Sequence, residues 1–334
     1  MQKNIAFYIS DHDPQHGLRT IPLLQNILKM ENEGRLFVKS GKEQIKQMKE
    51  LLSPNPNLQF CEMEMRDQDM EAWDELAERE MIFLKKEQIG LIVSDICPWI
   101  FIAADELRIK SILIGNYTWS DFSEDIEEKE AYASCYELAN RMFLYDFHKP
   151  EMTGYGVEYD LISMMNLPYH MEKVESLEEK LGGSFIFADM PGIGPVDVSS
   201  YPYRFVVTEG TDLRGDNVVV YEEGPGEIHN YVAASIYTIA YASWTRVGQV
   251  VLSNKKAAFL VKNKDDINRY VLDVLKQRGQ CVEIEEEEWE NPGEVLEKLE
   301  KFSYSYEHEY YNSDYDLARY ILYAYPEKRR RNRS

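Results

Sequence analysis

The sequence predicts an α/β protein made of two doubly wound, Rossmann-like domains. Three observations carry that reading. Through the first half, short apolar runs of strand length alternate with charged stretches of helical spacing. After an irregular stretch holding Pro150, Gly154, Gly156 and Pro168, the alternation begins again. The length, 334 residues, suits two domains of average size. The expected plan is an amino-terminal domain over 1–165 and a carboxyl-terminal domain over 166–305, facing each other across a cleft. A last segment, 306–334, is expected to send a helix back onto the first domain and to end in a basic tail.

Each element has its own signal. Ile5–Ser10 is a short apolar strand, and Gly17–Met30 carries Leu18, Ile21, Leu24, Ile27 and Leu28 at helical spacing. Strand Arg35–Lys39, helix Lys42–Leu52 and strand Asn57–Cys61 follow, then a long charged helix over Gln68–Lys86. Ile89–Ser94 is a run of buried-strand type, Trp99–Leu107 a helix and Ser111–Gly115 another buried strand. Glu128–Tyr145 reads as a helix, with irregular chain from there to about Leu181. In the second half, strands are expected at Ser184–Ala188, Tyr203–Val207, Asn217–Tyr221, Thr238–Ala242, Ala257–Val261 and Gln280–Ile284. Helices are expected at Glu227–Ala234, Arg246–Ser253, Asp265–Gly279, Pro292–Phe302 and Asn312–Tyr325, and Glu285–Glu290 reads as a solvated acidic loop.

Composition narrows the function. Hydrophobic residues are 44% and charged residues 29%, the balance of a folded globular chain. With 59 acidic against 37 basic residues the net charge is −22, which argues against a general nucleic-acid binder. A local pocket can still hold a phosphate-bearing ligand against that field. Cys61, Cys97, Cys135 and Cys281 lack CxxC spacing and read as reduced thiols in a cytoplasmic protein. No window approaches the run needed to span a bilayer, and the start lacks the features of a secretory signal. The histidines show no ligand-like spacing, so neither a metal nor a cofactor is expected. The tail Lys328–Arg333 reads either as a frayed terminus or as a weak peripheral contact with anionic lipid headgroups. Oligomeric state is not legible.

Parallel sheets of this type bind ligands beyond the carboxyl ends of their strands. The segments to inspect are therefore Ser10–Arg19, Ser94–Trp99 and Gly115–Asp121. His16, at the start of the first helix, is placed to accept a proton, and Asp95, after a neighbouring strand, could hold its second ring nitrogen. Equally, His16 could cap its helix or pack on the next loop, and Asp95 could cap the helix near Pro98.

Ser10–Arg19 resembles the S/T-G-H-G-x-G-H-A/G-x-R segment of nucleotide-sugar glycosyltransferases with the GT-B fold. It also resembles their relatives, such as the glycosyltransferase-like amino-terminal half of L-arabinokinase. His12, His16, Gly17 and Arg19 match, while Asp11, Asp13 and Gln15 stand where glycines are usual. Val93–Trp99, Ala103-Ala104 and Ile114–Asp121 are similar to the family stretch V-S-D-x-x-P-W, A-A, S-N-F-T-W-x-D, in the same order. The resemblance implies a GT-B fold, a nucleotide-diphosphate sugar as substrate and an acceptor hydroxyl of unknown identity. It implies His16 as the base and Asp95 as its partner, with His12, Arg19, Asn116 and Trp119 on the acceptor side.

On the donor side the resemblance points to Ala242–Gln249. There Ser243, Trp244, Thr245, Arg246 and Gln249 replace a G-x-G-T-V-x-E turn whose helix start would hold the diphosphate. Ser243 and Thr245 keep hydroxyls and Arg246 a charge for phosphate. Asp265, Asp266 and Arg269 lie where polar residues approach the donor sugar, and Asp189–Pro195 matches a glycine-rich loop or is a plain turn. The leading expectation is sugar transfer to a hydroxyl. Its rivals are a degenerate GT-B protein that binds a sugar or nucleotide or supports a partner subunit, and another sugar-nucleotide enzyme such as an epimerase.

Overall fold

A computed structural model describes residues 4–30, 34–221, 224, 226–261 and 266–324. The chain divides into two compact units, Met1–Met165 with Ser313–Ser334, and Asn166–Asn312. The second unit thus runs past the expected boundary at 305. Gln280 Nε2 donates to the carbonyl of His308, and Tyr310 Oη donates to Gln280 Oε1 at 2.6 Å, which ties this stretch to the second unit.

The first unit alternates β1 (Asn4–Ile9), α1 (Pro14–Lys29), β2 (Leu36–Ser40), α2 (Lys42–Leu51), β3 (Leu58–Glu62), α3 (Trp73–Lys86), β4 (Ile89–Asp95), α4 (Ile100–Leu107), β5 (Lys110–Gly115), α5 (Ile126–Tyr136), β6 (Arg141–Tyr145) and β7 (Tyr159–Ile162). Its sheet is parallel throughout, in the order β3-β2-β1-β4-β5-β6-β7. The direction of winding reverses between β1 and β4, so the switch point lies beyond Ile9 and Asp95. Ile21, Leu24 and Ile27 are fully buried and fasten α1, each contributing about 1.5–3 kcal/mol.

The second unit carries α6 (Met171–Lys180), β8 (Phe185–Asp189), β9 (Val196–Asp197), β10 (Arg204–Val207), β11 (Leu213–Arg214), β12 (Val218–Val220), α7 (Ile228–Ala234), β13 (Tyr237–Tyr241), α8 (Trp244–Leu252), β14 (Lys256–Leu260), α9 (Asp266–Gln277), β15 (Val282–Glu283), α10 (Glu286–Trp289) and α11 (Pro292–Lys301). Its main sheet is also parallel, in the order β12-β10-β8-β13-β14-β15, and β9 pairs with β11 apart from it. Here the switch point falls between β8 and β13. The chain then returns to the first unit as α12 (Asp314–Arg319), which packs on α1 and continues in wider turns to Ala324. Leu317 and Ile321 are buried and Leu322 is half-buried.

Four expectations are corrected. Arg141–Tyr145 is strand rather than the end of a helix. Met142, Leu144 and Tyr145 are buried, and an apolar run of this kind is satisfied by an interior parallel strand. The stretch expected to be irregular holds β7 and α6. The acidic run is no loop: Glu285 and Glu288 form a capping box, and Trp289 is fully buried in the second core. The charged helix opens as a single 3-10 turn, Met70–Ala72, before α3. The tail Lys328–Arg333 and Asp265 lie outside the described residues. Among the described residues no helix is long and apolar enough to cross a membrane.

Candidate functional site

Asp13 sets the geometry of the first switch point. Its carboxylate accepts the backbone N–H of Gln15 at 2.9 Å, and Pro14 supplies a preset first helical residue. That start places His16 in the first turn of α1 and Arg19 one turn on, along the same face. Gly17 is required between them, because a Cβ there would lie 2.7 Å from Gln44 Cγ on α2.

His16 and Arg19 converge on Asp95, the last residue of β4. His16 Nδ1 lies 2.8 Å from Asp95 Oδ1, and Arg19 Nε donates to Asp95 Oδ2 at 2.7 Å. Arg19 Nη2 donates to Asp95 Oδ1 as well, and Nη1 donates to Asn116 Oδ1 at 2.8 Å. The second ring nitrogen is occupied too: His16 Nε2 lies 2.6 Å from the hydroxyl of Tyr117. His16 and Arg19 are each 2% exposed. Burial alone would raise the Asp95 carboxyl, but the charges of Arg19 and His16 outweigh it and hold it at about 2. Asp95 therefore stays ionised, and Arg19 balances it. The carboxylate is shared, so it orients the His16 ring more than it is free to neutralise a positive charge there.

The rest of the expected acceptor side lies where the β1–α1 loop, with His12, meets the loop after β5, with Trp119. The His12 ring, exposed, meets Trp119 edge-on with centroids 4.9 Å apart, and Phe122 at 6.0 Å. Thr118 and Asp121 form a capping box that fixes this loop, and the Thr118 hydroxyl lies 2.5 Å from Tyr155 Oη. Asp67 is a further carboxyl at this end of the sheet. It accepts from Trp99 Nε1 at 3.1 Å, lies 3.8 Å from Cys97 Sγ, and is pushed up to about 7 by burial.

The second switch point is built from Asp189, the last residue of β8, and α8. Ser243 is the N-cap of α8, its hydroxyl accepting the backbone N–H of Arg246 at 3.3 Å. Arg246, expected to face phosphate, is turned into the unit. Its Nε donates to Asp189 Oδ2 at 3.0 Å, its Nη2 to the same oxygen, and its Nη1 to Gln249 Oε1. Asp189 also accepts from the Thr208 hydroxyl at 2.6 Å and is held below the usual carboxylate range, Arg246 outweighing burial. Trp244 is buried. Thr245 is half-buried, and its carbonyl accepts from Asn166 Nδ2 at 2.6 Å. The Asp189–Pro195 loop turns at Gly192, whose φ is 88°. Arg269 pairs with Glu283.

The structure thus gathers His16, Arg19, Asp95 and Asn116 into one cluster, with His12 and Trp119 in contact on the two adjoining loops. It gathers Ser243, Arg246 and Gln249 into another. Sequence reasoning missed Tyr117, Asp67 and the pairing role of Asp189. The partners of each are remote in sequence, and only the strand order reveals them. Among the described residues no group of three His, Cys, Asp or Glu side chains is placed to hold a metal ion.

No family profile matches the sequence, and no curated protein does either. Solved structures do. The chain is similar to UDP-GlcNAc 2-epimerase from Methanocaldococcus jannaschii, with a TM-score of 0.65 and 11% identity over 96% of this chain and 99% of that one. It is similar to the spinosyn forosaminyltransferase SpnP, with a TM-score of 0.62 and 13% identity over 98% and 96%. It is also similar to UGT89C1 from Arabidopsis thaliana complexed with UDP, with a TM-score of 0.61 and 11% identity over 96% and 98%. The fold is that of the GT-B glycosyltransferases and their structural relatives.

Proposed function

We propose that this protein acts on a nucleotide-diphosphate sugar and transfers the sugar to an acceptor hydroxyl. The first unit would hold the acceptor and the second the donor. The observation that carries the proposal is the contact of His16 with Asp95 at the first switch point, inside a segment that resembles the glycosyltransferase pattern. A ring held through Nδ1 can take a proton at Nε2, and a carboxylate fixed by Arg19 keeps the ring in place. The similar structures include a forosaminyltransferase and a protein complexed with UDP, which supports the same substrate class.

On the donor side the start of α8 offers backbone N–H groups to a diphosphate, as helix starts commonly do. One observation favours a second reading, a sugar-nucleotide-binding protein without transfer: Arg246 is committed to Asp189 and Gln249 and presents no uncommitted fork to phosphate. Calorimetric titration with a panel of nucleotides and nucleotide sugars, paired with release of nucleoside diphosphate, separates the two. Binding with release that falls roughly 10²- to 10⁴-fold in His16→Ala supports transfer with His16 as base. Binding with no release supports the second reading, and absence of binding by every member of the panel refutes both.

A further inference from the structure

We infer that Tyr117 is a catalytic residue: its hydroxyl is the group through which His16 takes the acceptor proton. This deepens the proposed reaction and rests on His16 being its base. Three observations carry it. Tyr117 Oη lies 2.6 Å from His16 Nε2, the ring nitrogen that Asp95 does not hold. His16 is 2% exposed, with Asp95 and Arg19 on one side of its ring and Tyr117 on the other, so no acceptor hydroxyl reaches Nε2 while Tyr117 stays in place. Tyr117 is the more exposed of the two at 6%, and it sits on the loop that also carries Trp119, beyond the end of β5. In the resembled stretch S-N-F-T-W this position is Phe, which has no hydroxyl, so the phenol is a feature of this chain.

The proton path balances. The relay requires a resting site in which Nδ1–H of His16 donates to Asp95 Oδ1, 2.8 Å away, and Nε2 accepts the hydrogen of Tyr117 Oη. As the acceptor oxygen bonds to the sugar's anomeric carbon, the bond from that carbon to the diphosphate breaks and the electron pair leaves with the nucleotide. The acceptor proton passes to Tyr117 Oη while the phenol's own proton passes to Nε2. Tyr117 ends unchanged and His16 holds the proton, with Asp95 and Arg19 fixing its ring throughout. The edge of Phe122, 5.2 Å from the Tyr117 ring between centroids, holds the phenol against rotation.

Two measurements on the full chain test this. The first is release of nucleoside diphosphate from UDP-glucose and UDP-GlcNAc, with water as acceptor, for the wild type, Tyr117→Phe and His16→Ala. The relay predicts that Tyr117→Phe loses kcat roughly 10²- to 10⁴-fold, as much as His16→Ala, with the donor KM unchanged. If His16→Ala loses turnover while Tyr117→Phe keeps or gains it, Tyr117 is only a plug; the relay is overturned and the base reading stands. If His16→Ala keeps turnover, the base reading itself fails. The second measurement needs no ligand: the 15N spectrum of histidine-labelled protein, with His16 assigned by its loss in His16→Ala. The relay predicts a bare Nε2 whose resonance moves in Tyr117→Phe while Nδ1 stays protonated. A proton on Nε2 in the resting protein overturns the relay whatever the turnover.

Discussion

Replacing Asp95 by Asn keeps the shape of the first switch point and removes the carboxylate that Arg19 and His16 share. The side chain is 6% exposed and touches two buried partners, so the cost is set by what Arg19 is left facing. A guanidinium that is 2% exposed and loses its carboxylate is an uncompensated buried charge, worth about 3–5 kcal/mol when a buried pair is broken from one side. The pH dependence gives a second route to the magnitude. The Asp95 carboxyl falls from its ordinary 3.8 to about 2 in the folded state, which corresponds to roughly 2–3 kcal/mol. Because the folded value is the lower one, this stability is complete above about pH 4 and is lost as pH falls through 2. Asp95→Asn should therefore unfold at lower urea than the wild type at pH 7, by about 3 kcal/mol, and the gap should shrink between pH 4 and pH 2. Urea unfolding followed by tryptophan fluorescence at pH 7, 4 and 2 reads this directly. The double replacement Arg19→Met with Asp95→Leu should recover most of the loss, since a matched apolar pair leaves no orphan charge. A single Asp95→Asn variant as stable as the wild type at pH 7 would refute the argument, as would a gap that does not change with pH.

Three other outcomes follow from the same structure. Asp67 has the opposite sign: its folded value of about 7 exceeds 3.8, so stability falls as pH rises from about 4 to 7. Asp67→Asn should flatten that limb and leave the protein more stable at pH 8 by up to about 4 kcal/mol in thermal or urea unfolding, and a pH profile unchanged by the substitution removes this reading. Gly17→Ala should destabilise by about 1–3 kcal/mol, because the added Cβ lies 2.7 Å from Gln44 Cγ; a melting temperature equal to the wild type would show that α2 yields freely. Arg246→Ala should weaken nucleoside-diphosphate binding by about 1.5–3 kcal/mol in calorimetry if the guanidinium turns from Asp189 to phosphate, and unchanged affinity would leave Arg246 serving Asp189 alone.

The parts of the fold that were legible in the sequence are those whose signal is local. Ile89–Asp95 and Lys110–Gly115 are apolar runs that are hard to place anywhere but in a sheet, and α1 announces itself by the spacing of Ile21, Leu24 and Ile27. β6 was hidden because only Glu137–Asn140, with no Gly or Pro, separates it from α5, so the helical pattern ran on into a strand. Trp289 was hidden by four glutamates before it: the charge suggested a solvated loop, whereas one buried indole is enough to dock a short helix. In the site, His16 and Asp95 could be paired from the order of strand ends alone. Tyr117 could not, because its hydroxyl finds its partner 101 residues away through a rotamer choice that no spacing encodes.

The two switch points share a device, and the difference between them bears on function. In each, a carboxylate at a strand end, Asp95 or Asp189, is paired with an arginine on the helix that follows the neighbouring strand, Arg19 or Arg246. Each pair satisfies its own charge without a ligand, so the pairing by itself speaks for structure. What surrounds it differs. Around Asp189 and Arg246 stand Gln249 and Thr208, which hydrogen-bond but do not exchange protons near neutral pH. Around Asp95 and Arg19 stand an imidazole and a phenol in direct hydrogen-bond contact. Placing those two groups in a buried pocket has a cost that packing alone would have avoided with apolar residues. That asymmetry is the reason the proposed reaction assigns proton transfer to the first unit and only binding to the second. It also gives the His16 and Tyr117 substitutions their weight, since among the described residues these two groups have no counterpart in hydrogen-bond contact with Asp189 or Arg246.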